Sequence, residues 1–172
     1  MNPTPAAFNA PVANCVAYGA DGRKVRDLTL DEISDFLAQP DGFVRVGLVE
    51  PDAAMLEKMQ EEFGLHELAI EDARSAHQRP KIEAYGHSLF VAVQTAELAG
   101  GNIAFGETHL FVGKRYLLTV HHGASQPYTA VQRACEQTPE HLALGPSYAL
   151  YALLDFIVDN YRRSRSPTAW NC

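Results

Sequence analysis

The sequence has no Cys-x-x-Cys pair, no run of eighteen or more apolar residues and no excess of positive charge. Each absence removes a class of function. Three cysteines (Cys15, Cys135, Cys172) are an odd number without metal-type spacing, so they fit a reduced cytosolic setting better than a disulfide framework. Without a long apolar run these residues do not span a membrane as a helix, and the first residues show no charged-then-apolar secretory signal. The net charge of −7 argues against a general nucleic-acid binder. Enzyme motifs are missing too. His66-Glu67 is not followed by a second histidine at metalloprotease spacing, and His121-His122 has no carboxylate partner at that spacing. Gly145-Pro146-Ser147 is a helix start and not the GxSxG of a nucleophile elbow, and no glycine loop suited to phosphate is present. The remaining histidines, His77, His87, His109 and His141, read as surface or internally satisfied residues. The sequence therefore predicts no enzyme.

What is present is an ordinary globular composition: 172 residues, 47% hydrophobic and 20% charged, enough for one domain with its own core. The charge is uneven. Between residues 50 and 74 eight carboxylates face two basic side chains, a net of −6 within the total of −7. Such a surface attracts cations, although a solvated helix face gives the same pattern.

In chain order, residues 1–11 are rich in Pro, Ala and Asn and read as a frayed terminus. A strand over 12–18, a turn at 19–22 and a short strand over 24–28 form a hairpin. Thr29 and Glu32 have the spacing of a capping box for a helix over 30–37. A strand over 43–49 leads through Pro51 into a helix whose apolar stripe is Met55, Leu56, Met59 and Phe63, closed by Gly64. Strands over 88–98, 102–112 and 116–121 make an antiparallel meander. Pro127 and Pro139 open short helices. A last helix over 147–163 carries Tyr148, Tyr151, Leu154, Ile157, Val158 and Tyr161 as its apolar stripe, with Asp155 and Asp159 sharing a face. Residues 162–172 lack periodicity and read as a tail. The predicted architecture is an α/β, three-layer αβα sandwich with a central mixed sheet of about six to seven strands, ending in a long helix.

The least ordinary stretch runs from residue 64 to 83. A short helix over 66–75 carries Glu71 and Asp72, which point about 100° apart, so both cannot face one core. Pro80 forbids helix at Arg79, and Lys81 starts a strand. Two adjacent carboxylates therefore sit on a helix that ends in a basic, sharply turned corner. Arg79 and Lys81 read as structural, pairing with Glu83 or with the acidic helix.

The stretch His66-Glu67-Leu-Ala-Ile-Glu71-Asp72 through His77-Gln78-Arg79-Pro80-Lys81-Ile82-Glu83, taken with the final helix Tyr148-Ala-Leu-Tyr-Ala-Leu-Leu-Asp155-Phe-Ile-Val-Asp159-Asn-Tyr161, resembles the amino-terminal cytoplasmic domain of CorA-type magnesium and cobalt transporters. The resemblance covers residues 12–161. It implies an αβα domain below a pentameric membrane pore on the cytoplasmic side of the inner membrane. It also implies a stalk helix and two membrane helices, the first ending in Gly-Met-Asn; that tripeptide is not in this sequence. The implied role is that of a divalent-cation sensor without the pore. Asp72 matches the first regulatory metal position, and Glu71 and Asp155 match a second, more variable one. Both sites are completed by a stalk aspartate of a neighbouring subunit. Mg²⁺, or Co²⁺, is the implied ligand, bound weakly by these residues alone. Mg²⁺ takes oxygen ligands and keeps several waters, so one or two carboxylates suffice. Two alternatives stand beside this reading: a free-standing interaction or oligomerisation domain, and the equivalent domain of a related zinc transporter.

Overall fold

The computed structural model describes residues 12–99, 101–124 and 127–164; the two expected tails thus lie largely outside the described residues. A seven-stranded mixed sheet runs through the middle. Its strands are β1 (Val12–Tyr18), β2 (Lys24–Asp27), β3 (Phe43–Val49), β4 (Lys81–Tyr85), β5 (Ser88–Ala99), β6 (Asn102–Val112) and β7 (Tyr116–Gly123). Their spatial order is β2-β1-β3-β7-β6-β5-β4. β3 and β7 are parallel, with Val46 beside Leu118 and Leu48 beside Val120, while the other neighbouring pairs are antiparallel.

The helices divide between the two faces. α1 (Ile33–Leu37), α2 (Ala53–Phe63) and α3 (Glu67–Arg74) cover one, and α4 (Thr129–Glu136), α5 (Pro139–Leu142) and α6 (Pro146–Ser164) cover the other. Strand alternation produces this division. On β6, Phe111 packs with Ile33, Leu56, Met59 and Ile70 of the first layer, whereas Leu110 and Val112 pack with Val131, Leu153 and Ile157 of the second. β3 lies in the middle of the sheet and reads as a nearly continuous buried run, as expected for a strand covered on both faces.

Local signals set most boundaries. The Glu32 carboxylate reaches back to the Thr29 amide at 2.7 Å and its hydroxyl at 2.9 Å, and Leu30–Glu32 is a 3-10 turn before α1. The second helix starts two residues later than Pro51, because the Asp52 side chain caps it by accepting from the Met55 amide at 2.8 Å. α3 ends at Arg74, four residues before proline requires it to, and Ser75 is already extended.

The apolar stripe of α6 is largely consumed by its own sheet. Leu153 and Ile157 are buried and Tyr148, Leu154 and Tyr161 partly so, while Tyr151 and Val158 remain exposed. The helix continues through Arg162 to Ser164.

Candidate functional site

α3 stands over the sheet on Ala69, Ile70 and Ala73, all buried, and its opposite side faces outward. Glu71 is exposed and Asp72 half-buried, as the angular argument requires. His66 caps the helix, its Nδ1 accepting from the Leu68 amide at 3.3 Å, and its ring stacks on Tyr85 with centroids 4.4 Å apart. Arg74 at the other end pairs with Glu57 of α2 at 2.8 Å, a favourable place for a cation on a helix.

Asp72 does not stand alone. Beyond the Pro80 corner, β4 brings Lys81 Nζ to 2.6 Å from Asp72 Oδ2 and 3.1 Å from Glu83 Oε2. Tyr85 donates to Glu83 Oε2 at 2.8 Å. The result is a chain of charges along one edge of the sheet. The bond to Asp72, helped by Glu83, holds the Lys81 ammonium above its ordinary pKa, and the Tyr85 hydroxyl and Lys81 hold Glu83 below the usual carboxylate value. The structural role expected for Lys81 is thus observed, with both partners made at once.

Asp155 is exposed on α6, behind the opposite face of the sheet from α3. One chain therefore does not bring Asp155 to Glu71 and Asp72. Among the described residues no three His, Cys, Asp or Glu side chains are arranged to hold a metal ion. Asp72 and Glu71 are hard oxygen donors on an accessible helix and suit Mg²⁺, but only as part of a site.

A second polar cluster was not legible in the sequence. Glu50, the residue after β3, continues a row with His122, Glu107 and Gln94 of β7, β6 and β5, on the side of the sheet nearest the C-terminus of α3. His122 links two elements, with Nδ1 3.0 Å from Glu50 Oε2 and Nε2 2.9 Å from the Ala73 carbonyl. Glu50 also accepts from the Gly123 amide at 2.6 Å. Burial alone would raise the Glu50 pKa, but the Gly123 amide and His122 hold it below the usual value. Glu107 Oε2 accepts from the His77 amide at 2.7 Å. His109, fully buried, places Nε2 2.7 Å from Glu107 Oε1, a close histidine–carboxylate contact inside the sheet layer. Burial lowers the His109 pKa. Of the residues read as surface or internally satisfied, His109 is buried, and so are His121 and His122. The available signal was Glu107 and His109 two apart on a strand, which places both on one face. Only the packing of the first helix layer on the sheet reveals that this face is covered.

The family model for CorA-like Mg²⁺ transporter protein matches residues 41–165. YfjQ of Bacillus subtilis (strain 168), a candidate metal ion transporter, is 24% identical over 149 residues, covering 86% of this chain and 45% of that protein. Full-length CmaX shares the fold with a TM-score of 0.69 at 15% identity, over 88% of this chain and 46% of CmaX. The soluble domain of CorA from Methanocaldococcus jannaschii gives 0.59 at 15% identity, over 87% of this chain and 57% of that one. The chain spans less than half the length of the curated relatives it matches. With the matched segment running from the turn before β3 to the end of α6, the chain belongs to the CorA-like Mg²⁺ transporter family.

Proposed function

We propose that this chain is the divalent-cation-sensing cytoplasmic part of a magnesium or cobalt transporter, with Asp72 as its principal metal ligand. The observation that carries this reading is the Asp72–Lys81 contact at 2.6 Å in a half-buried corner. It supplies an internal cation where an external one would otherwise be needed. At low Mg²⁺, Lys81 balances Asp72 and the helix surface is free of the neighbouring subunit. At high Mg²⁺, a hydrated cation bridges Asp72 and Glu71 to a carboxylate of an adjacent chain, and ties two domains together. The shift follows from the cation's differential affinity for the two arrangements. Asp155, behind the opposite face, serves the same role toward the neighbour on its other side, so the metal sites belong to the pentamer and not to one protomer.

The test is assembly and thermal stability with and without Mg²⁺. A millimolar site at ten-fold excess adds roughly 1.4 kcal/mol. Stabilisation by Mg²⁺ or Co²⁺ that disappears in Asp72→Ala supports the sensor. A response to Zn²⁺ alone moves the chain to the zinc-transporter reading.

A second reading is an interaction domain without metal sensing. Tyr151 and Val158, exposed on either side of Asp155 along α6, favour it. Assembly that ignores divalent ions and is lost in Tyr151→Ser/Val158→Ser would establish it in place of the first.

A further inference from the structure

An open cavity of about 490 Å³ lies between the C-terminal end of α3 and the far ends of β5, β6 and β7. Its walls include Glu50, His77, Gln94, Phe105, Glu107 and His122. We propose that it binds a small organic cation, an ammonium or a guanidinium, through Glu107 and Glu50 with the Phe105 ring as its aromatic wall.

Four independent observations converge there. First, Glu107 is 6% exposed and lines the cavity, with Oε1 2.7 Å from His109 Nε2 and Oε2 on the His77 amide. A carboxylate has about four lone-pair sites, so these two contacts leave acceptor capacity for an N–H of a bound cation. Second, two carboxylates line the cavity and no lysine or arginine does, so its charge favours cations over anions. Third, Phe105 is 70% exposed. It lies two residues before Glu107 and so on the same face of β6, where a large apolar ring on open surface suits a cation–π contact. Fourth, Glu50 (φ 45°) and His77 (φ 77°) are the non-glycine residues with left-handed backbone among the described residues, and both line this cavity. Each conformation costs about 1–2 kcal/mol. Each is held by a bond into the same cluster: the Glu50 carboxylate to Gly123, and the His77 amide to Glu107. Such strain concentrates where a ligand is clamped.

The size and the donor set decide the class of cation. The volume falls in the range of small-molecule pockets and exceeds what a bare ion fills, and no metal-holding triad is present among the described residues. The flat N–H fork of a guanidinium matches a carboxylate, while its face stacks on an aromatic ring. An ammonium makes the same two contacts as a point charge.

The experiment is titration of the ¹⁵N-labelled protein with methylguanidinium and with methylammonium chloride, against KCl at matched ionic strength, read at the His77, Gly106 and Gly123 amides. Saturable shifts with either organic cation and none with KCl are expected. Affinity should fall on the order of ten-fold in Glu107→Gln, as for a lost charged hydrogen bond. It should fall roughly three-fold in Phe105→Ala and stay unchanged in Asp72→Ala. Phe105 lies before the first residue of β6 that pairs with β7, so its variant keeps the fold and decides the matter if Glu107→Gln does not. Shifts that KCl reproduces, the absence of saturation, or an affinity indifferent to Phe105→Ala overturns the proposal.

Discussion

Lys81 Nζ sits 2.6 Å from Asp72 Oδ2, across the corner made by Pro80, and 5.7 Å from the centre of the Phe90 ring. Both side chains of the pair are about a quarter exposed, at 28% and 23%. The pair is therefore screened by water and contributes less than about 1 kcal/mol. Its importance is competitive. Lys81→Met should cost little stability and should strengthen Mg²⁺ binding at Asp72 several-fold, because the internal counter-ion is gone. Calorimetric Mg²⁺ titration of Lys81→Met beside Asp72→Ala checks this; equal affinity in wild type and Lys81→Met would show that Lys81 does not compete.

Acid should destabilise the fold through His121. His121 is buried, with Nδ1 3.1 Å from the Thr108 hydroxyl, and burial together with Arg45 pushes its pKa down to about 4. A histidine depressed in the fold stays neutral there and protonates more readily when unfolded. Stability is thus fully present above the unfolded value of about 6.5 and declines as pH falls toward 4, by on the order of 2–4 kcal/mol. Urea unfolding at pH 7.5, 6.0 and 5.0 should show this decline, with a smaller slope in His121→Gln.

Gly42 and Gly86 share a left-handed backbone, with φ of 85° and 61°, but not the same surroundings. A Cβ on Gly42 would lie 2.3 Å from the Tyr18 carbonyl oxygen, whereas one on Gly86 meets nothing within 4 Å. Gly86→Ala should cost only the backbone conformation, about 1–2 kcal/mol. Gly42→Ala should cost clearly more, because the clashing partner is the backbone of β1. Denaturant midpoints of the two variants measure the difference.

Cys15 and Cys135 are buried thiols. Desolvation raises both, with the carboxylates of Glu32 and Asp27 helping to push Cys15 up to about 12. Since the thiolate is the reactive form, a Cys172→Ser variant should react with a disulfide reagent at pH 8 only as fast as it unfolds. Immediate labelling of one equivalent in the folded state would contradict the burial.

The order of elements was readable along the chain because each depends on neighbours within a few residues. Thr29 and Glu32 cap a helix, Gly64 closes one, and the alternation in 102–112 and 116–121 gives two strands of a meander. Asp72 and Lys81 are nine residues apart, and their expected pairing is also short-range. The cluster around Glu107 was not readable. His109 read as a lone histidine and His121-His122 as a pair without a carboxylate partner, since nothing local says which strand lies beside which.

What the sequence by itself determined is the set of elements, the α/β class and the position of two carboxylates on a helix ending at a basic corner; these follow from periodicity, capping and proline sterics. Only the tertiary structure decided that β3 lies parallel to β7, some seventy residues away in the chain. That pairing sets Glu50 against His122 and Gly123. It also sets Glu50 and Glu107 into the wall of one cavity, and places α6 with Asp155 behind the opposite face from Asp72. The physical reason is that strand register is fixed by burying both faces of the sheet at once, a condition on the whole chain that no local stretch contains.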